Sequence, residues 1–135
     1  MTGGTYTLFV HLPHEATIEV GALGSHDFDA GWYAYTGSAL GTGGFSRVER
    51  HHELAAGDRD TRHWHVDYLL GHAETRLVDD VRTAVDAECA IARELPDGPV
   101  PGFGASDCAC PSHLAYAADR ESLERAVRDA HARHC

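Results

Sequence analysis

The chain contains no lysine. Its basic side chains are 11 arginines, against 21 Asp and Glu, and the formal net charge at neutral pH is −10. This balance excludes a broad basic footprint for nucleic acid, but leaves room for a small basic cleft. An acidic surface without lysine suits concentrated salt: at 1 M, charge repulsion is screened within about 3 Å, and net acidity keeps the chain soluble. GC-rich codon usage would also favour arginine, yet it does not account for the acidic excess. In such salt the counterion-release contribution to nucleic-acid binding is weak, so recognition would rest on a few well-placed hydrogen bonds.

Long apolar runs are also missing, and no segment is long enough to span a bilayer. The N-terminus lacks the basic flank and apolar stretch of a secretory signal. The expectation is a soluble, cytoplasmic protein without a membrane partner. Cysteine is sparse: Cys89, Cys108, Cys110 and Cys135. In a cytosolic chain these are expected as free thiols or metal ligands rather than disulfides. No repeat, low-complexity tract or linker divides the 135 residues, so residues 1–135 read as one domain.

The segment GTYTLFVHL alternates, with Tyr6, Leu8, Val10 and Leu12 on one face, and predicts a strand. A hairpin from about Ala16 to Phe28 turns at Gly24-Ser25. GWYAYTG predicts the next long strand. After a loop with four glycines, a helix is expected from about Phe45 to Ala56, with Phe45, Val48 and His52 inward. RHWHVDYLL alternates and predicts a strand with His63, His65 and Asp67 on one side. ETRLVDDV predicts another. VRTAVDAECAIAREL predicts a helix stopped by Pro96 and Gly98. HLAYA is short and extended, and Asp119 caps a last helix with an inner stripe of Leu123, Ala126, Val127 and Ala130. The fold class is α+β: a small, mainly antiparallel sheet flanked by helices.

Within the helix predicted over residues 81–95, Glu88 falls in the middle of the apolar stripe. A carboxylate there is costly unless it is paired or holds a hard divalent cation. Arg47 and His51 are four apart on one helical face, with Arg50 beside them, and an arginine fork suits bidentate phosphate contact. The glycine-rich loop before that helix also favours an anion, although the Lys-Ser/Thr ending of a P-loop is absent. Tyr6 and Tyr35 lie in separate strands, and singly each reads as packing with one hydrogen bond.

Together these residues resemble a known family. Gly4-Thr5-Tyr6 resembles the GIY element of GIY-YIG nucleases, and Tyr35-Thr36-Gly37 the YIG element. Arg47-Val48-Glu49-Arg50-His51 resembles the family's arginine-bearing helix, and Glu88 stands where the family places its metal-binding glutamate. The stretches GWYAYTGSALGTGGF, HWHVDYLL, AECAIAREL and GFGASDCACPSHL are similar to a small stand-alone branch of Uri-type endonucleases. Here 28 residues separate the two tyrosine motifs, which adds the Ala16–Phe28 hairpin to the family's pattern. The resemblance implies a GIY-YIG-like fold and a metal-dependent endonuclease acting on DNA, single-stranded or damaged DNA included, with a role in DNA repair. It implies one Mg²⁺ or Mn²⁺ on Glu88, Arg47 on a phosphate oxygen, and Tyr6, Tyr35 and His51 sharing the activation of water. Gly37, Ser38, Arg50, His63, His65 and Asp67 would line the substrate cleft. The alternatives are a non-catalytic nucleic-acid-binding module on the same fold, or a small zinc-stabilised protein.

Two clusters stand apart from this pattern. His63, His65 and Asp67 read as a metal site, as a polar face lining the cleft, or as a hydrogen-bonded sheet surface. Cys108, Cys110 and His113, spaced C-x-C-x-x-H, invite zinc with a fourth ligand from Cys89 or Cys135, but the spacing favours turn packing instead.

The charge balance yields a direct expectation. The melting temperature should rise as KCl is increased from dilute buffer toward about 2 M, because screening relieves acidic repulsion. A melting temperature highest in dilute buffer would overturn the salt-adapted reading.

Overall fold

Strand β1 (Gly4–Leu12) is rich in β-branched and aromatic residues and is buried on both faces. That burial follows from its position in a four-stranded sheet of order β5-β1-β4-β6, where β4 spans Gly31–Ala39, β5 Arg76–Thr83 and β6 Leu114–Ala117. The computed structural model describes residues 3–39, 44–57, 65–72, 74–96, 98–100, 103 and 112–134. All three pairings in this sheet are antiparallel. The register sets Tyr6 opposite Gly37, Leu8 opposite Tyr35 and Val10 opposite Tyr33. Strands β2 (Ala16–Glu19) and β3 (Ser25–Phe28) form a separate hairpin. The fold is therefore α+β with a mainly antiparallel sheet, as expected.

Each sheet face has its own core. Tyr6, Leu8, Val10, Leu12, Tyr33 and Tyr35 pack with Val48 and Leu54 of α1 (Ser46–Ala55) and with Val66, Leu69 and Leu70 of α2 (His65–Leu70). The hairpin adds Ile18, Val20 and Phe28 to that layer. On the other face, Phe9 and Ala34 pack with Ile91 of α3 (Glu88–Arg93) and with Leu123, Val127 and Ala130 of α4 (Arg120–Arg133). Gly57, at φ +87°, turns the chain away after α1, a backbone state that favours glycine. Asp119 caps α4, its carboxylate accepting from the Ser122 amide at 3.0 Å.

Four expectations are corrected. Residues 65–70 form a helix, not a strand. Val66, Leu69 and Leu70 follow the i, i+3, i+4 spacing of a helical stripe, and packing selects that period over the alternating one. The helix expected over 81–95 is only six residues long, because residues 81–83 continue β5. There they pair with β1, Thr83 opposite Thr5 and Val81 opposite Thr7. Val85 is 38% exposed, so Glu88 opens α3 rather than sitting mid-stripe. In α1 the inward residues are Val48, His51 and Leu54, while the half-buried His52 pairs with Asp80 at 3.1 Å. Finally, Cys89 is disulfide-bonded, whereas the sequence favoured free thiols or metal ligands. The other three cysteines lie outside the described residues.

A buried polar network ties α4 to the sheet. His131 Nε2 meets Thr7 Oγ1 at 2.8 Å, and Nδ1 meets Thr83 Oγ1 at 2.8 Å. Thr7 Oγ1 also lies 3.0 Å from Thr36 Oγ1. Burial lowers the His131 pKa, assisted by the charge of His134. The neutral ring can then donate from one nitrogen and accept at the other. His131→Leu strands buried hydroxyls and should cost about 1–3 kcal/mol in urea denaturation. The added change Thr7→Val should recover part of that loss; a neutral His131→Leu would show the network to be dispensable.

Candidate active site

The site begins with an empty space in the sheet. Tyr6 and Gly37 face each other across β1 and β4, and a Cβ at position 37 would come within 2.5 Å of the Tyr6 hydroxyl oxygen. Only glycine admits the phenol there. Tyr35 lies diagonally on the same face, its ring centroid 6.3 Å from that of Tyr6. Phe103 supports Tyr35 edge-on at 6.0 Å.

Helix α1 supplies the next two groups. Its His51 is buried, and its Nε2 lies 2.8 Å from the Tyr6 hydroxyl. Arg47, one turn earlier, donates from Nη1 to the Ser38 carbonyl at 2.7 Å. That bond clips α1 to the end of β4 immediately after Gly37. Arg50 is half-buried on the same helix.

Electrostatics set the protonation states. Burial pushes the Tyr6 phenol well above the ordinary tyrosine range; Tyr35, Glu88 and Asp67 add to the rise, and Arg47 opposes it. Tyr35 is raised in the same way, by burial first and then by the Glu88 charge, again against Arg47. Both phenols are therefore protonated at neutral pH. Burial, with the charges of Arg47, Arg50 and His52, lowers His51 to about 4. A protonated Tyr6 thus donates to a neutral His51. The other ring nitrogen, Nδ1, lies 3.9 Å from Asp67 Oδ1.

Asp67 was expected along the substrate cleft, but its approach to His51 is a finding of the fold. Two residues apart on a strand, His65 and Asp67 would point the same way; on α2 they diverge. Asp67 is buried against His51, while the half-buried His65 packs on Phe103, with centroids 5.8 Å apart. His63 lies outside the described residues.

Glu88 reaches the site from the other core layer. Thr5 Oγ1 donates to the Val85 carbonyl at 2.6 Å and accepts from the Ala87 amide at 2.9 Å. This clip holds the β5–α3 turn beside β1, next to Tyr6. Glu88 follows in the first turn of α3, its side chain 25% exposed and its Oε2 3.5 Å from His113 Nδ1. His113 is pinned beside Tyr35: its carbonyl accepts from the Thr36 amide at 3.0 Å, and its amide donates to Phe103 at 2.8 Å. A partly exposed carboxylate beside an imidazole is a donor set that fits a divalent cation. Nothing in the sequence pattern paired His113 with Glu88 or Asp67 with His51, since both contacts cross between elements.

The structure thus gathers Tyr6, Tyr35, Arg47, His51 and Asp67 on one sheet face, with Glu88 within reach of their charges. The family described as "Domain of unknown function DUF123" matches residues 5–135. Comparison with curated proteins and with solved structures found no match.

The lowered His51 pKa fixes a pH dependence. Unfolded His51 takes up its proton near 6.5 and the folded group near 4. Its contribution, roughly 3 kcal/mol, is present above the unfolded value and is lost as pH falls from 6.5 toward 4. Melts at constant high salt should show wild type losing more stability than His51→Gln over this window. Equal losses would overturn the assignment.

Proposed function

Because the chain belongs to the family described as "Domain of unknown function DUF123", a description that names no activity, we propose a function from the site itself: metal-dependent hydrolysis of phosphodiester bonds in DNA. The observation that carries this reading is the buried 2.8 Å contact between the Tyr6 hydroxyl and His51 Nε2, within the fields of Arg47 and Glu88. Its support is the chemistry of that set and the resemblance to GIY-YIG nucleases.

Attack of a water oxygen on phosphorus requires a proton acceptor at the water and a counter-charge on the phosphate. Tyr6 accepts the water proton as its own passes to His51 Nε2, so the phenol never has to exist as a free phenolate. The resulting imidazolium faces the Asp67 carboxylate. Arg47, its direction fixed by the Ser38 carbonyl, is placed for a non-bridging phosphate oxygen. Tyr35 orients the water, and Arg50 and His65 line the approach of the strand. Glu88 would hold one Mg²⁺ or Mn²⁺ through its carboxylate oxygen, beside His113, and the ion would stabilise charge on the phosphate and the leaving oxygen. Single-stranded or damaged DNA suits the reading, because a chain with net charge −10 must rely on a few local contacts rather than a broad basic surface.

A second reading, a non-catalytic nucleic-acid-binding module, draws on one observation: the strong upward shift of both phenols makes either one, acting alone, a poor base. One experiment separates the two. Wild type, Glu88→Gln and Arg47→Ala are incubated at molar KCl with single- and double-stranded DNA, with Mg²⁺, Mn²⁺ or chelator. Cleavage should require the metal and fall by about 100-fold or more in both variants, with each remaining folded. Cleavage that survives chelation, or a Glu88→Gln protein that cuts at the wild-type rate, ends the mechanism. Retention of DNA without cleavage would establish the binding module instead.

A further inference from the structure

Cys89 follows Glu88 directly in α3, and its Sγ lies 3.8 Å from His113 Nε2. On the same ring, Nδ1 lies 3.5 Å from Glu88 Oε2. Taking one ligand atom from each side chain, the three fall within 4.8 Å of one another. Ligand atoms around a tetrahedral zinc stand about 3.3–3.6 Å apart, so a contraction of up to about 1.5 Å closes the set. The backbone around it is tied down on both sides, by the Thr5 clip before Glu88 and by the Thr36 and Phe103 bonds at His113. A carboxylate, an imidazole and a thiolate form a donor set for zinc rather than for magnesium, which avoids sulfur and prefers oxygen.

The sulfur is not a thiolate in this structure, because Cys89 is disulfide-bonded. The donor set is therefore complete only in one redox state. We propose that reduction of the Cys89 disulfide turns Glu88, Cys89 and His113 into a zinc site, and that zinc bound there withdraws Glu88 from the cation needed for cleavage. The reductant is a dithiol. Its thiolate attacks the disulfide to give a mixed disulfide, and its second thiol resolves that bond. The dithiol leaves oxidised by two electrons, and the chain gains two thiols. Zinc then displaces the Cys89 proton and takes one atom from each side chain, with water in the fourth position. The metal site stands on the geometry alone; its inhibitory effect rests on the cleavage reading.

The test uses the full chain, oxidised or reduced anaerobically with dithiothreitol and then desalted, with Zn²⁺ or Co²⁺ added as the only metal. Reduced wild type should retain about one zinc per chain and bind it about 100-fold or more tightly than the oxidised form. With Co²⁺ it should show the near-ultraviolet thiolate-to-cobalt band. Cys89→Ser should lose the band and the tight binding, and so should His113→Gln. Since His113 is buried, Cys89→Ser, at a half-buried position, keeps the test decisive if the histidine variant fails to fold. Equal zinc affinity in the two redox states overturns the proposal, as does a Cys89→Ser protein that keeps the cobalt band. In the activity arm, zinc should inhibit Mg²⁺-dependent cleavage by the reduced protein and not by the oxidised one. A protein that binds zinc as described but cuts no DNA in either state rejects the cleavage reading and leaves the metal site standing.

Discussion

The Tyr6 phenol occupies the space that a side chain at position 37 would fill. This single close approach, 2.5 Å to a hypothetical Cβ, organises the first sheet face. It depends on the β1–β4 register, which a slip of one residue would destroy by turning Tyr6 to the opposite face. With Tyr6 so placed, α1 docks at the depth where His51 meets its hydroxyl. The Arg47–Ser38 bond then locks the same helix to the strand end. The spacing of four between Arg47 and His51 lets one helix do both. Thr5 plays the matching part on the second face: one residue before Tyr6, it holds the turn that leads into Glu88.

Much of the fold was legible because its signals are local. The long central strands carry β-branched and aromatic residues throughout, the hairpin turns at Gly24, and Asp119 sits where a helix cap belongs. Segments readable in two ways were not legible. Residues 65–70 satisfy both the alternating and the helical spacing, and only burial against α1 and the hairpin decides between them. The run before Glu88 has helical spacing too, but residues up to Thr83 gain more by completing the ladder to β1. Of the candidate site, Tyr6, Tyr35, Gly37, Arg47 and His51 were readable as motif elements. The Asp67–His51 and Glu88–His113 contacts were not, because each joins residues from different elements whose approach is set by packing.

The distribution of charge follows the same division. Acidic excess is spread over the surface, where arginines such as Arg82, Arg120 and Arg128 are paired with carboxylates. Pairs of this kind contribute little each, and less in high salt. The interior relies more on neutral hydrogen bonds between threonine, tyrosine and histidine, with the buried Asp67 carboxylate beside His51. Salt does not screen such contacts, so an acidic exterior and a histidine-rich interior suit the same medium.

Burial also decides how the candidate chemistry must run. The environment that holds Tyr6 in place raises its phenol far above neutrality and lowers His51 to about 4. Neither group alone is a good acceptor for a water proton: the phenol holds its own proton too strongly, and the imidazole stands one group removed from solvent behind it. In series the two difficulties offset each other. In the proposed cleavage, the phenol would take a proton only while giving one up, and the imidazole would receive it where Asp67 lies on its far side. On the cleavage reading, the arginines that depress His51 are also those placed for phosphate. An arriving phosphate would neutralise part of their field and raise the basicity of His51 when a base is required. The resting site would then be held in a weakly basic state until substrate binds, a consequence of placing Arg47, Arg50 and His51 on a single helix.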